Sequence, residues 1–179
     1  MINNTIKQIV SNTELHAKWL NTLSMMENSG ARKISACEHS HNVDIIILKH
    51  AAEEARHAYY LKKQIKKLNY EGCATYTPSE ILAPIASYQY LHKLDVAYSR
   101  YLKNNFNFNS SELKYASYLL TTYAIEVRAD ELYPIYDEIL KEAGSNISVK
   151  MIIAEEKGCL LYTSPSPRDA TLSRMPSSA

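Results

Sequence analysis

Glu54 and His57 close the segment Glu-Ala-Arg-His, three residues apart, so on a helix both side chains leave the same face. A second segment, Glu156-Lys-Gly-Cys159, repeats the spacing with cysteine where the first has histidine. A single glutamate precedes each segment, Glu27 by 27 residues and Glu126 by 30. Glu27, Glu54 and Glu126 fall on helical stripes of otherwise apolar or aromatic residues. A carboxylate buried there is costly unless it is paired or bound to a metal. Four such carboxylates and an imidazole meeting at one height demand a cation, and the chemistry they offer is metal binding.

The elements that must position these residues are long helices. Leu20, Leu23, Glu27, Ala31 and Ile34 share one face of a helix expected over 5–36, weakened in the middle by Gly30. A second helix is expected over 43–68, capped by Asn42 or Asp44, with the stripe Ile47, His50/Ala51, Glu54, Ala58, Leu61, Ile65 and Leu68. After a turn-rich stretch, a connecting helix from Ser79 to about Asn104 tolerates Pro84 near its first turn. It is about 30 Å long, enough to carry the chain back along the others. A third helix is expected over 110–140, kinked at Pro134 and ended before Gly144, and a fourth begins near Ser148.

The heights agree well for the first pair. The midpoint of Glu27 and Glu54 falls in the Ser40-His41-Asn42 turn, so two antiparallel helices joined there bring the glutamates level. The midpoint of Glu126 and Glu156 falls at Lys141, a few residues short of the Gly144 turn. That leaves an offset approaching about 10 Å at 1.5 Å per residue. Asp130, one turn beyond Glu126, would be more level and is the reserve ligand. Tyr123, one turn before Glu126, is the candidate hydrogen-bonding neighbour of a ligand, with plain packing as the alternative. His50 has a supporting or packing role in this reading, and Glu38-His39-Ser40-His41 reads as a solvated loop.

From Cys159 onward the composition changes to Cys-Leu-Leu-Tyr-Thr-Ser-Pro-Ser-Pro-Arg-Asp and then Ser-Arg-Met-Pro-Ser-Ser-Ala. The stretch closely resembles the translation of a sequencing-library adapter, and such segments are set aside in fold reasoning. The expected organisation is therefore one helical domain over 1–158 and a disordered, non-native tail over 159–179, with the fourth helix cut short.

Taken together, the two single glutamates and the two three-residue pairs resemble the ligand pattern of the ferritin-like di-iron carboxylate superfamily, whose rubrerythrin-like and ferritin-like members are four-helix bundles. The resemblance covers essentially all of 1–158. It implies an all-α fold, a ferritin-like four-helix bundle with a helical crossover between the second and third bundle helices. It implies Glu27 and Glu126 as single ligands, Glu54 and Glu156 as bridging ligands, and His57 as the first histidine. Cys159 stands where the second histidine is expected, and a thiolate there would favour other metals and oxidise readily. The implied cofactor is two iron ions, with manganese or a mixed pair as the alternative. The implied activity is that of an oxidoreductase activating dioxygen or peroxide, served by an electron-donor protein. Iron binding or storage without turnover is the rival, and Ile125-Glu126-Val127-Arg128 is also similar to a stretch of the tRNA-modifying hydroxylases. The chain as given is expected to bind iron poorly, because its second pair lacks histidine.

The bulk composition excludes more than it assigns. Twenty basic against nineteen acidic residues give no electrostatic footprint for nucleic acid or an anionic membrane. No 18-residue apolar run and no signal-like start occur. Three cysteines without paired spacing suit a reducing, cytoplasmic setting, and a homodimer is a candidate assembly. Tyr88, Tyr90, Tyr98 and Tyr101 are expected to pack the connecting helix on the others, or alternatively to line a substrate channel.

Overall fold

The computed structural model describes residues 2–38 and 41–163, with 157–163 as helix backbone. Six α-helices and no strands occur among the described residues, so the chain is all-α. The helix expected over 5–36 is two, α1 (Ile2–Val10) and α2 (Thr13–Cys37). The break has a local cause. Ser11 and Asn12 compete with helical hydrogen bonding through their side chains, and Asn12, in extended conformation, accepts from the Leu15 amide at 3.0 Å to cap α2.

α3 (Ile45–Ile65) starts on Asp44, whose carboxylate accepts from the Ile46 amide at 2.8 Å. It tightens into a 3-10 turn over Lys66–Leu68 and stops at Asn69, which adopts the left-handed conformation. A second 3-10 turn at Pro78–Glu80 leads into α4 (Pro84–Asn105), with proline in the first turn, where its missing N–H is harmless. α5 (Ser110–Glu142) opens on a capping box between Asn109 and Glu112 and runs through Pro134 without ending there. Gly144, at φ 60°, supplies the left-handed turn after it. Ser148 Oγ then accepts from the Lys150 amide at the head of α6 (Lys150–Thr163).

The change of composition at Cys159 is not where the helix ends. Among the described residues α6 continues through Cys-Leu-Leu-Tyr-Thr to Thr163. The remainder of the expected tail, 164–179, lies outside the described residues.

α2 and α3 pack antiparallel. Ser24 Oγ donates to the Ala58 carbonyl at 2.7 Å, while ten residues later on α2 Ile34 meets Ile47, earlier on α3. α6 runs antiparallel to α3 as well: Gln64 Oε1 accepts from the Ser148 amide at 3.1 Å, and His57 meets Glu155. α5 runs in the same direction as α3, since Tyr118 lies against His50 and Tyr133 against Glu27. α4 makes that direction attainable, carrying the chain back outside α2 and α5. It is held by the Lys33–Asp95 ion pair (2.7 Å) and by Ser99 to Ser117 (2.7 Å).

The connection ahead of α4 is pinned to α2 and α3. Lys62 donates to Asn21 Oδ1 at 2.5 Å and to the Cys73 carbonyl at 2.7 Å, and Asn21 donates onward to the Thr75 and Glu80 carbonyls. The main apolar core gathers Leu20, Leu61, Tyr136, Leu140, Val149 and Ile152 at one end of the molecule. A small second cluster, Ile34, Ile47 and Tyr118, lies toward the other end. Between the two sits a layer of buried charged residues.

Candidate metal centre

Three helices bring four of the expected ligands together. Glu27 from α2, Glu54 and His57 from α3 and Glu156 from α6 each offer one donor atom, all within 4.8 Å of one another. Opposed donors around a cation with bonds of about 2.1 Å stand about 4.2 Å apart, so the set closes on an ion with small movements. Glu54, His57 and Glu156 are buried, and Glu27 is half-buried.

Local sequence explains the placement. Glu27 and Glu54 come level because the α2–α3 turn lies at their midpoint, as expected. Gly30 sits beside them, and a Cβ there would lie 3.1 Å from Glu54 Oε2. The glycine that weakens the middle of α2 is therefore what admits the Glu54 carboxylate.

His57 presents Nδ1 to the centre, 3.3 Å from Glu156 Oε1, buried and without a hydrogen-bond partner. Its Nε2 lies 2.9 Å from Glu155 Oε2, and Arg56 donates to that same oxygen at 2.7 Å. A carboxylate behind the second ring nitrogen fixes tautomer and orientation in the way metal-bound histidines require. The donor chemistry and the inward-facing Nδ1 thus fit a cation.

Glu126 is 2 % exposed but is not one of the four converging donors. It reaches them through His50, whose Nε2 lies 3.3 Å from Glu54 Oε1 and 3.5 Å from Glu126 Oε1. The expected height offset is real, and Tyr133, seven residues beyond Glu126, occupies the level position on α5. Its hydroxyl donates to Glu27 Oε1. His50 Nδ1 lies 3.1 Å from the Tyr118 hydroxyl.

Two expectations fail. Asp130, the reserve ligand, is exposed and not among the converging donors: one turn past Glu126 it sits about 40° to the solvent side of the buried α5 stripe Thr122, Glu126 and Tyr133. Tyr123 is 43 % exposed, about 60° round the helix from Glu126 on that same side. Cys159 lies in α6, with its side chain outside the described residues, as are His39 and Ser40 of the α2–α3 turn. Sequence reasoning passed over Tyr133, Gly30 and the Glu155–Arg56 pair. The seven-residue step from Glu126 to Tyr133 was the signal for the first.

The electrostatics are those of a site built for positive charge. Burial, and then the Glu54 carboxyl, push Glu27 well above the usual carboxylate range. Burial raises Glu54 to about 7. Burial opposes charge on His57, but Glu156, Glu27 and Glu155 outweigh it and its pKa rises. Burial lowers His50. Protons thus hold the cluster together where no cation does, and a bound cation would displace them.

A cavity of about 810 Å³ opens onto this layer between α2, α4 and α5. Glu27, Glu54, Glu126, His50 and Tyr133 form part of its wall, and the remainder is mainly apolar. Tyr90 joins that wall, whereas Tyr88 and Tyr101 are exposed. No helix among the described residues is long and apolar enough to cross a membrane. Comparison with protein-family models, curated proteins and solved structures gave no match.

Proposed function

We propose that the chain is a ferritin-like di-iron carboxylate protein acting as an oxidoreductase that activates dioxygen or peroxide. The observation that carries the reading is the convergence of Glu27, Glu54, His57 and Glu156 within 4.8 Å from three helices. Two antiparallel helix pairs joined by the α4 crossover are the arrangement in which such ligands meet. Bound iron supplies one-electron redox chemistry and open coordination positions.

The chain's own residues have definable parts. Glu27, Glu54, His57 Nδ1 and Glu156 would hold the metal, with Glu126 beside them behind His50. His50, between Glu54 and Glu126, orients both carboxylates. Glu155, paired with Arg56, holds the proton on His57 Nε2 so that Nδ1 stays free to bind. Tyr133 keeps a proton against Glu27, and burial beside that carboxyl holds its hydroxyl protonated well beyond the usual phenol range. The cavity beside the carboxylates favours turnover of a substrate over storage, which needs no room of that size.

The test is ferrous iron bound per chain after anaerobic loading, on this chain and on Cys159→His. About two irons in the histidine variant, fewer in the parent and almost none after a further Glu54→Ala change are expected. An absence of bound iron in both the parent and Cys159→His would overturn the reading.

A further inference from the structure

The cavity has a shape and a charge distribution of its own. Its wall follows α2 from Trp19 to Cys37, about 27 Å of helix, so it is a slot rather than a bowl. Leu23, Met26, Leu91, Ile125 and Leu132 make its sides apolar. Its volume of about 810 Å³ lies toward the upper end of the roughly 300–1,000 Å³ range of small-molecule sites. The acids Glu27, Glu54 and Glu126 lie on its buried side, and no anion would settle among them.

The end near Cys37 has the opposite character. Lys33 and Lys114 line it, with Asp95 their one acidic neighbour in the wall, and the N-terminus of α5 at Ser110 adds a partial positive charge. Lys33 is committed to Asp95 at 2.7 Å, while exposed Lys114 donates to the Ala36 carbonyl at 3.0 Å, a neutral partner. Glu27 lies six residues from Lys33 along α2, about 9 Å. A molecule anchored by the lysines would lay its apolar body past the carboxylate layer.

We infer that this slot binds an elongated apolar molecule with one anionic headgroup, a long-chain carboxylate, with the headgroup at Lys33 and Lys114 and the chain alongside Glu27 and Glu126. That this molecule is the substrate of the metal-centred oxidation rests on the function proposed above; the binding itself does not.

The experiment is titration of the metal-free chain with palmitate and with hexadecanol, followed by calorimetry. Saturable binding of one palmitate per chain is expected, tighter than hexadecanol. The double change Lys33→Gln/Lys114→Gln lies at the solvent-exposed end of the slot. It should weaken palmitate roughly tenfold, the worth of a charge-assisted hydrogen bond, and leave hexadecanol unchanged. Ala129→Trp, which fills the wall, should abolish both, with circular dichroism to verify that the helices persist. No saturable palmitate binding would overturn the inference, and so would equal affinities for the two probes with no effect of the lysines. Because no iron is present, these outcomes are separate from the metal-loading result.

Discussion

Gly30 and Glu54 show how a single position trades stability for a site. Glycine inside an exposed helix turn costs about 1 kcal/mol relative to alanine. Here the missing Cβ leaves Glu54 Oε2 its place, which alanine would crowd at 3.1 Å. Gly30→Ala is therefore expected to weaken ferrous binding roughly tenfold, the scale of lost ligand support, and to lose to the crowding of Glu54 part of the about 0.5–1 kcal/mol that alanine normally adds to a helix. Unchanged iron affinity in a competition titration would show that Glu54 does not need that space. The acid beside it, Glu27, is held by burial, by Glu54 and by the Tyr133 hydroxyl. Of these contacts, the one from Tyr133 is not given by the spacing of Glu27 and Glu54.

One tie between α2 and α5 is a buried histidine. His16 Nε2 lies 2.6 Å from the Tyr136 hydroxyl, edge-on to its ring, and burial lowers His16 from 6.5 to about 4. The folded state therefore favours neutral imidazole. Its contribution is fully present above the unfolded value of 6.5 and is lost as pH falls from 6.5 towards 4, by at most about 3 kcal/mol. His16→Gln, which cannot titrate, should remove that gain from a urea-unfolding series between those pH values. A series of unchanged slope would place the acid sensitivity elsewhere. The same scale explains why α1 is separate from α2: the Asn12 cap ends the run that apolar periodicity alone would continue.

For the whole molecule, the acid cluster and the buried histidine pull stability in opposite directions with pH. Glu54 is raised from 4.5 to about 7, so its neutral form is the one the fold accepts. Its contribution is complete below 4.5 and is lost as pH rises through about 7, by at most about 3 kcal/mol. His16 gains stability as pH rises from about 4 to 6.5 while Glu54 loses it from 4.5 to about 7, so the two nearly cancel and the metal-free chain should hold a flat stability maximum between about pH 4.5 and 6.5. Ferrous loading should unmask the His16 rise across that interval, because a cation then balances the carboxylates. Glu54→Gln should unmask it without iron. If stability in the metal-free protein already rises steadily from about pH 4 to 6.5, the buried cluster does not carry the strain assigned to it.

The amino-acid sequence determined the helices, because apolar periodicity, caps and prolines act within a few residues. Asp44, Pro84 and Gly144 mark boundaries that the folded chain respects. It also determined the meeting of Glu27 and Glu54, since a short turn between antiparallel helices sets their heights by arithmetic. Where segments are joined by longer or unequal connections, that arithmetic loses its reference point. The tertiary structure alone decided that Glu156 joins the first pair while Glu126 stands off behind His50, with Tyr133 at the level position. It alone turned Asp130 and Tyr123 to solvent and opened the slot between α2, α4 and α5. Rotation, stagger and the room left between packed helices are set by side chains distant in sequence, and no local pattern encodes them.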